Sequence, residues 1–157
     1  MTAQTIYEGK LITVVVDDGM EIVHHRDAVA IVAVDHEDRI VLVRQPRPAI
    51  GRRLLELPAG LLEEGEAPLD CARRELREET GLRGGEWSRL AGFFMTPGFC
   101  DEQVHVFLAM GIEEGPASPD DDEELEVVRV PVGELRALLR DLEDAKTVAG
   151  LLLFLGG

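Results

Sequence analysis

Residues Gly60 to Leu82 read GLLEEGEAPLDCARRELREETGL, and the spacing inside this 23-residue stretch decides the fold. Pro68 suits the first turn of a helix, where its missing N–H would have no intrahelical partner, and Gly81 suits a left-handed C-terminal cap. A helix over about Ala67–Thr80 follows. At ~100° per residue, Leu69, Ala72, Leu76 and Thr80 form one stripe able to pack on a sheet. Glu75, Glu78 and Glu79 fall on the flank and back of the same helix, at i, i+3 and i+4, with Cβ atoms about 5–6 Å apart. Like charges this close destabilise a bare helix, but they make a hard-oxygen nest for Mg²⁺ or Mn²⁺. The helix is therefore expected to be both a core element and a ligand platform.

Working outward, the flanks alternate strands and turns. Leu11–Val16 and Glu21–His25 surround Asp17-Asp18-Gly19, and Ala28–Val34 and Ile40–Gln45 surround Asp35-His36-Glu37-Asp38, so each pair reads as a hairpin. A loop over Pro46–Arg53 leads to a short strand, Leu54–Leu57, and then to Pro58-Ala59-Gly60. Beyond the helix, Ser88–Phe94 and Gln103–Met110 read as strands around a Pro97-Gly98-Phe99 loop. Gly111–Glu124 reads as an acidic loop, Leu125–Val130 as a strand, and Val132–Arg140 and Ala145–Leu155 as helices. Strands and helices out of strict alternation predict a mixed sheet with helices on its faces.

Composition narrows the function. The 157 residues suffice for one domain, 1–157, with its own core, and 45% hydrophobic against 30% charged residues is a globular balance. A formal net charge of −15 argues against nucleic acid or an anionic membrane as partner. It leaves room for a phosphorylated small molecule, because divalent ions bridge carboxylates to phosphate oxygens. Cys71 and Cys100 make neither a disulfide framework nor a zinc quartet, which fits a reducing cytoplasm. The N-terminus carries no basic-then-apolar leader pattern. Val148–Leu155 is apolar but far short of the ~20 residues that span a bilayer, so it reads as a packed or dimer-buried helix.

The pattern Gly60-x5-Glu66-x7-Arg74-Glu75-Leu76-x-Glu78-Glu79-x-Gly81-Leu82 resembles the signature of the Nudix hydrolases at every specified position. The surrounding elements match that family's α/β/α sandwich, so the resemblance covers most of the chain. It implies hydrolysis of a nucleoside diphosphate linked to another moiety, with two or three Mg²⁺ or Mn²⁺ ions that neutralise the diphosphate and lower the pKa of a bound water. Carried over by motif position, Glu75 and Glu79 are the implied metal ligands, with Glu78 a further ligand or the base, and the carbonyl of Ala59 another ligand. Arg74 is implied to orient the carboxylates by pairing with Glu66 or Glu78.

Three features outside the box resemble the ADP-ribose pyrophosphatase branch: Glu56-Leu57-Pro58-Ala59-Gly60 leading into it, Pro97 at 15 residues past Leu82, and Val43-Arg44-Gln45-x-Arg47-Pro48 before it. On that resemblance Arg47 contacts the diphosphate, Glu63 hydrogen-bonds a ribose or orders its loop, and Gly98 lets the terminal ribose approach. A loop glutamate activates the attacking water, aligning with Glu123 and then with Glu124. GDP-mannose, NADH or a diadenosine polyphosphate are the alternative substrates, and a non-catalytic nucleotide-binding module is the alternative class. Members of the branch are homodimers, which gives the N-terminal strands at about 5–25 an expected role at an interface. His24, His25, His36 and His105 show no ligand spacing and read as strand or turn residues.

Overall fold

The structure is a computed structural model and describes residues 3–115 and 125–157. Its main sheet is built around β4 (Ala28–Asp35), whose run AVAIVAV is buried on both faces. Such an unbroken apolar strand belongs at the centre of a covered sheet. It pairs in parallel with β9 (Gln103–Glu114) and antiparallel with β5 (Arg39–Arg47) and the short β7 (Ala59–Leu61). β8 (Leu82–Phe94) flanks β9, while β10 (Glu126–Pro131) and β6 (Arg52–Glu56) both pair with β5. One parallel pair among antiparallel ones makes the sheet mixed, as expected.

Alternation along β4 sends its side chains to two layers. Val29, Ile31 and Ala33 meet Cys71, Ala72 and Leu76 of α1 (Pro68–Thr80). Ala30, Val32 and Val34 meet Leu135 and Leu151, carried by α2 (Leu135–Leu138) and α3 (Ala145–Gly156). Helices on both faces make an α/β/α sandwich. Each fully buried aliphatic side chain contributes about 1.5–3 kcal/mol, so the layer over Val29, Ile31 and Ala33 supplies most of what holds α1 in place.

A second, three-stranded antiparallel sheet comprises β1 (Gln4–Glu8), β2 (Ile12–Asp17) and β3 (Met20–His25). Asp18 and Gly19 both take positive φ between paired Asp17 and Met20, the two-residue hairpin that an Asp-Gly pair favours. The loop after β8 holds this sheet: Val23 N–H donates to Phe99 O at 2.7 Å, and the Asp101 carboxylate receives His25 N–H at 2.8 Å. Ile6, Tyr7, Leu11 and Met20 of this region are each more than half exposed.

Several boundaries differ from those read in the sequence. Part of the expected Pro46–Arg53 loop is strand, because β5 continues through Arg47 against Arg52 before a 3-10 turn at Pro48–Ile50. β8 begins at Leu82 rather than Ser88, since its ladder with β9 runs back to the pair Leu82–Glu114. The expected Val132–Arg140 helix is a 3-10 turn followed by the single-turn α2, anchored where Val132 N–H reaches Asp38 O at 3.1 Å. Among the described residues no helix is long and apolar enough to cross a membrane.

Candidate active site

α1 starts after Ala67, with Pro68 in its first turn, and stops at Gly81 (φ 71°), which donates to Arg77 O. With Ala72 and Leu76 fixed in the core, its acidic flank lies along β7. Ala59 N–H donates to Glu79 Oε2 at 3.0 Å. Glu75 packs on Gly60 so closely that a Cβ there would lie 1.9 Å from Glu75 Cδ. The glycine is needed for this approach, because any side chain would occupy the carboxylate's position.

Arg74 ties the acids together. Its Nε and Nη2 grip Glu66 at 2.9 and 2.8 Å, and its Nη1 donates to Glu75 Oε1 at 2.7 Å and Glu78 Oε2 at 3.1 Å. Nη2 also reaches Leu61 O at 3.2 Å. The guanidinium, helped by the Glu63 N–H, holds Glu66 down at a pKa of about 2. Arg74 itself is pushed above its ordinary value, first by Glu66 and then, against burial, by Glu75 and Glu78. The anticipated pairing of Arg74 with Glu66 or Glu78 thus includes both, and Glu75 as well. Among the described residues no three His, Cys, Asp or Glu side chains enclose a cation site as they stand. The donor chemistry nevertheless fits Mg²⁺ or Mn²⁺: the donors are carboxylate oxygens, and the missing Cβ of Gly60 leaves room for one of those carboxylates, Glu75, against β7.

Across β7 lies a second charged group. Glu56 is fully buried, and Arg47 forks onto it through Nε at 2.6 Å and Nη2 at 2.7 Å. Lys146 Nζ approaches Glu56 Oε2 at 2.5 Å and Asp144 Oδ1 at 2.9 Å. Burial works to raise the Glu56 pKa, but the Arg47 hydrogen bonds and the Lys146 charge outweigh it and hold the group below its ordinary value. Asp144 caps α3, accepting from Thr147 N–H at 3.0 Å and from its hydroxyl at 2.5 Å. The same buried hydroxyl accepts Leu57 N–H at 2.9 Å, tying α3 to the end of β6.

A cavity of about 470 Å³ takes in Arg47, Glu56, Ala59, Gly60, Asp144 and Lys146, with apolar walls from Ile50, Leu54 and Met95 among others. Of the residues singled out from sequence, this brings Arg47 and Ala59 together beside the α1 carboxylates. Glu63 lies elsewhere, on an open depression of about 910 Å³ shared with Lys10, Arg26 and Glu66. Its N–H donates to Glu66 Oε2 at 2.9 Å. Gly98 borders a third cavity, of about 340 Å³, with Met20, Phe94 and Phe99. Glu123 and Glu124 fall outside the described residues.

Residues 24–151 match the NUDIX domain. The chain belongs to the NUDIX family. Within it, the chain is 40% identical to an ADP-ribose pyrophosphatase of Bacillus subtilis (strain 168), over 92% of this chain and 85% of that one. It is 35% identical, with the same coverages, to a methanol dehydrogenase activator of Bacillus methanolicus. A crystal structure of an ADP compounds hydrolase superposes with a TM-score of 0.84 at 25% identity, covering 99% of this chain and 91% of that one. Family membership makes this a NUDIX pyrophosphohydrolase, of a family that uses divalent metal ions.

Sequence reasoning missed Lys146, Asp144 and Thr147 and gave Glu56 no role of its own. The signal available was Asp144-Ala145-Lys146-Thr147, an aspartate three residues before a threonine at a helix start. Nothing local marks Glu56 as buried.

Proposed function

We propose that this chain hydrolyses ADP-ribose to AMP and ribose 5-phosphate with Mg²⁺ or Mn²⁺. The observation that carries the reading is that Ala59 and Gly60, on which the α1 carboxylates Glu79 and Glu75 rest, line one cavity with Arg47. Cations bound there supply charge neutralisation and a more acidic water. Glu75, Glu79, Glu78 and the Ala59 carbonyl are the residues to hold them, as two or three ions. Arg47 meets the diphosphate from the far side, using the N–H groups that Glu56 leaves over. Water adds to one phosphorus, the bridging P–O bond breaks, and the proton passes to Glu123, with Glu124 or Glu78 the alternatives. Glu63 and Gly98, which border two other depressions, are assigned to the sugar ends of the substrate on the family resemblance alone. The name and 40% identity of the Bacillus subtilis relative support ADP-ribose over other nucleotide sugars.

The test is a panel of ADP-ribose, GDP-mannose, NADH and diadenosine polyphosphates with Mg²⁺, with products separated by chromatography. The expected result is a kcat/KM for ADP-ribose more than tenfold above the next compound. A smaller margin removes the substrate assignment and leaves the reaction class.

The active unit in this reading is a cytoplasmic homodimer. Ile6, Tyr7 and Met20 leave apolar area on the N-terminal sheet, and Leu11 lines the cavity itself. Exposed apolar side chains on this sheet support an association face there. Light scattering coupled to size-exclusion should give twice the chain mass, and a Tyr7→Glu, Ile6→Glu double variant should run as a monomer.

A further inference from the structure

Glu56 is a single buried carboxylate with two cations on it. Arg47 alone would neutralise it, through both oxygens in a bidentate fork. Glu56 does not need Lys146 for neutrality, yet Lys146 is held as firmly, at 2.5 Å from Oε2, with its side chain only 14% exposed. Asp144 shares it, and with Glu56 balances the two cations. One of its oxygens is committed to the start of α3, and only the other touches Nζ, at 2.9 Å. Among the described residues two of the three ammonium protons are engaged, which leaves one for a ligand.

The placement gives this cation an address. Lys146 comes from α3 and Glu56 from β6, elements far apart in sequence that the Leu57–Thr147 hydrogen bond clamps together. Both border the cavity that contains Arg47, Ala59 and Gly60. The cavity wall thus carries two cations, Arg47 and Lys146, joined through Glu56, and meets the α1 carboxylates at Ala59 and Gly60, on which Glu79 and Glu75 rest. A diphosphate carries separated negative charges that one guanidinium cannot meet together.

We propose that Lys146 is a second diphosphate-binding cation and that Glu56 is a positioning residue setting Arg47 and Lys146 side by side. This rests on the pyrophosphatase reading. If Lys146 merely neutralised Glu56, its loss would lower stability and leave affinity alone.

The test is calorimetric binding of the α,β-methylene analogue of ADP-ribose in Mg²⁺, with KM, kcat and Tm measured beside it. Losing one charge-assisted hydrogen bond should weaken binding by about 10–100-fold. Lys146→Met is expected to show that loss and a matching rise in KM, with kcat within threefold, and Lys146→Arg to recover most of it. Affinity within twofold of wild type, with or without a lower Tm, overturns the proposal, as does a fall confined to kcat. Should Lys146→Met fail to fold, Lys146→Gln, which keeps a donor for Glu56, is read by the same criteria. If the wild-type chain does not bind the analogue, the substrate assignment fails by itself. Binding of inorganic pyrophosphate with Mg²⁺ then decides: a tenfold loss in Lys146→Met supports the cation's role, and no loss overturns it.

Discussion

Replacing Gly60 by alanine separates the metal-binding role proposed for Glu75 from its contribution to the fold. The new Cβ would stand 1.9 Å from Glu75 Cδ and 2.1 and 2.3 Å from its two oxygens, where ordinary contact begins at 3.4 Å. The carboxylate must therefore retreat by 3.4 − 1.9 = 1.5 Å. Metal–ligand distances tolerate only about 0.2 Å, so a displaced Glu75 is a lost ligand. Loss of even an outer partner of a metal site costs about 10–100-fold in affinity, or about 1.4–2.7 kcal/mol. A direct ligand should cost at least that much. The fold, by contrast, should barely respond. Gly60 lies in β7 outside the positive-φ set, and the obstacle is the end of a flexible side chain rather than backbone. Titration of Mn²⁺ by calorimetry, with Tm measured on the same samples, checks both halves, and Gly133→Ala, which meets open space, is the control. A Gly60→Ala protein that binds Mn²⁺ within twofold of wild type would refute the reasoning, as would one that loses its fold.

Three further outcomes are expected. Glu123→Gln should lower kcat by ~10²–10⁴-fold with metal affinity intact, whereas Glu79→Gln should weaken Mn²⁺ binding itself; small and equal effects of both would leave the base unassigned. Glu66, with a folded pKa of about 2 against an ordinary 4.5, adds stability that is complete above pH 4.5 and lost as pH falls through 2. Urea unfolding in EDTA from pH 6 to 2 should therefore show a decline for wild type that Glu66→Gln lacks in part. Gly150→Ala would bring a Cβ to 2.7 Å from Leu57 Cδ1 and 3.4 Å from Val32 Cγ2, overpacking α3 against the sheet. A loss of about 1–3 kcal/mol by denaturant unfolding is expected.

What was legible in the sequence was what short-range geometry decides. α1 was readable because Pro68 and the 3.6-residue stripe lie within it and Gly81 directly follows it as the cap, and the same spacing put Glu75, Glu78 and Glu79 on one side. The Asp-Gly turn announced its hairpin for the same reason. The lengths of β8 and β9 were not readable, because Leu82 becomes strand only through its partner Glu114 across the ladder. Glu56 was opaque for a stronger reason. A glutamate beside two leucines looks like the outward position of an alternating strand. Its burial is decided by Arg47, nine residues before it, and by Lys146, 90 residues after it. A buried carboxylate is tolerable only with such partners, and partners that distant leave no local mark.

The acids of α1 also illustrate how one arginine can serve two demands. An unliganded helix with Glu75, Glu78 and Glu79 on one side needs a positive charge, or it repels itself. A helix committed rigidly to that charge would have nothing left to offer a metal ion. Arg74 divides these duties between its nitrogens. Nε and Nη2 hold Glu66 and Leu61 O, contacts that anchor the guanidinium to the loop before α1. Nη1 alone faces Glu75 and Glu78. In the proposed metal-bound state those two carboxylates would exchange Nη1 for a cation without releasing Arg74, because the fork on Glu66 is untouched. On this logic Arg74→Lys, a single ammonium that cannot fork and reach at once, should cost stability and metal affinity together, whereas Glu66→Gln should cost mainly stability.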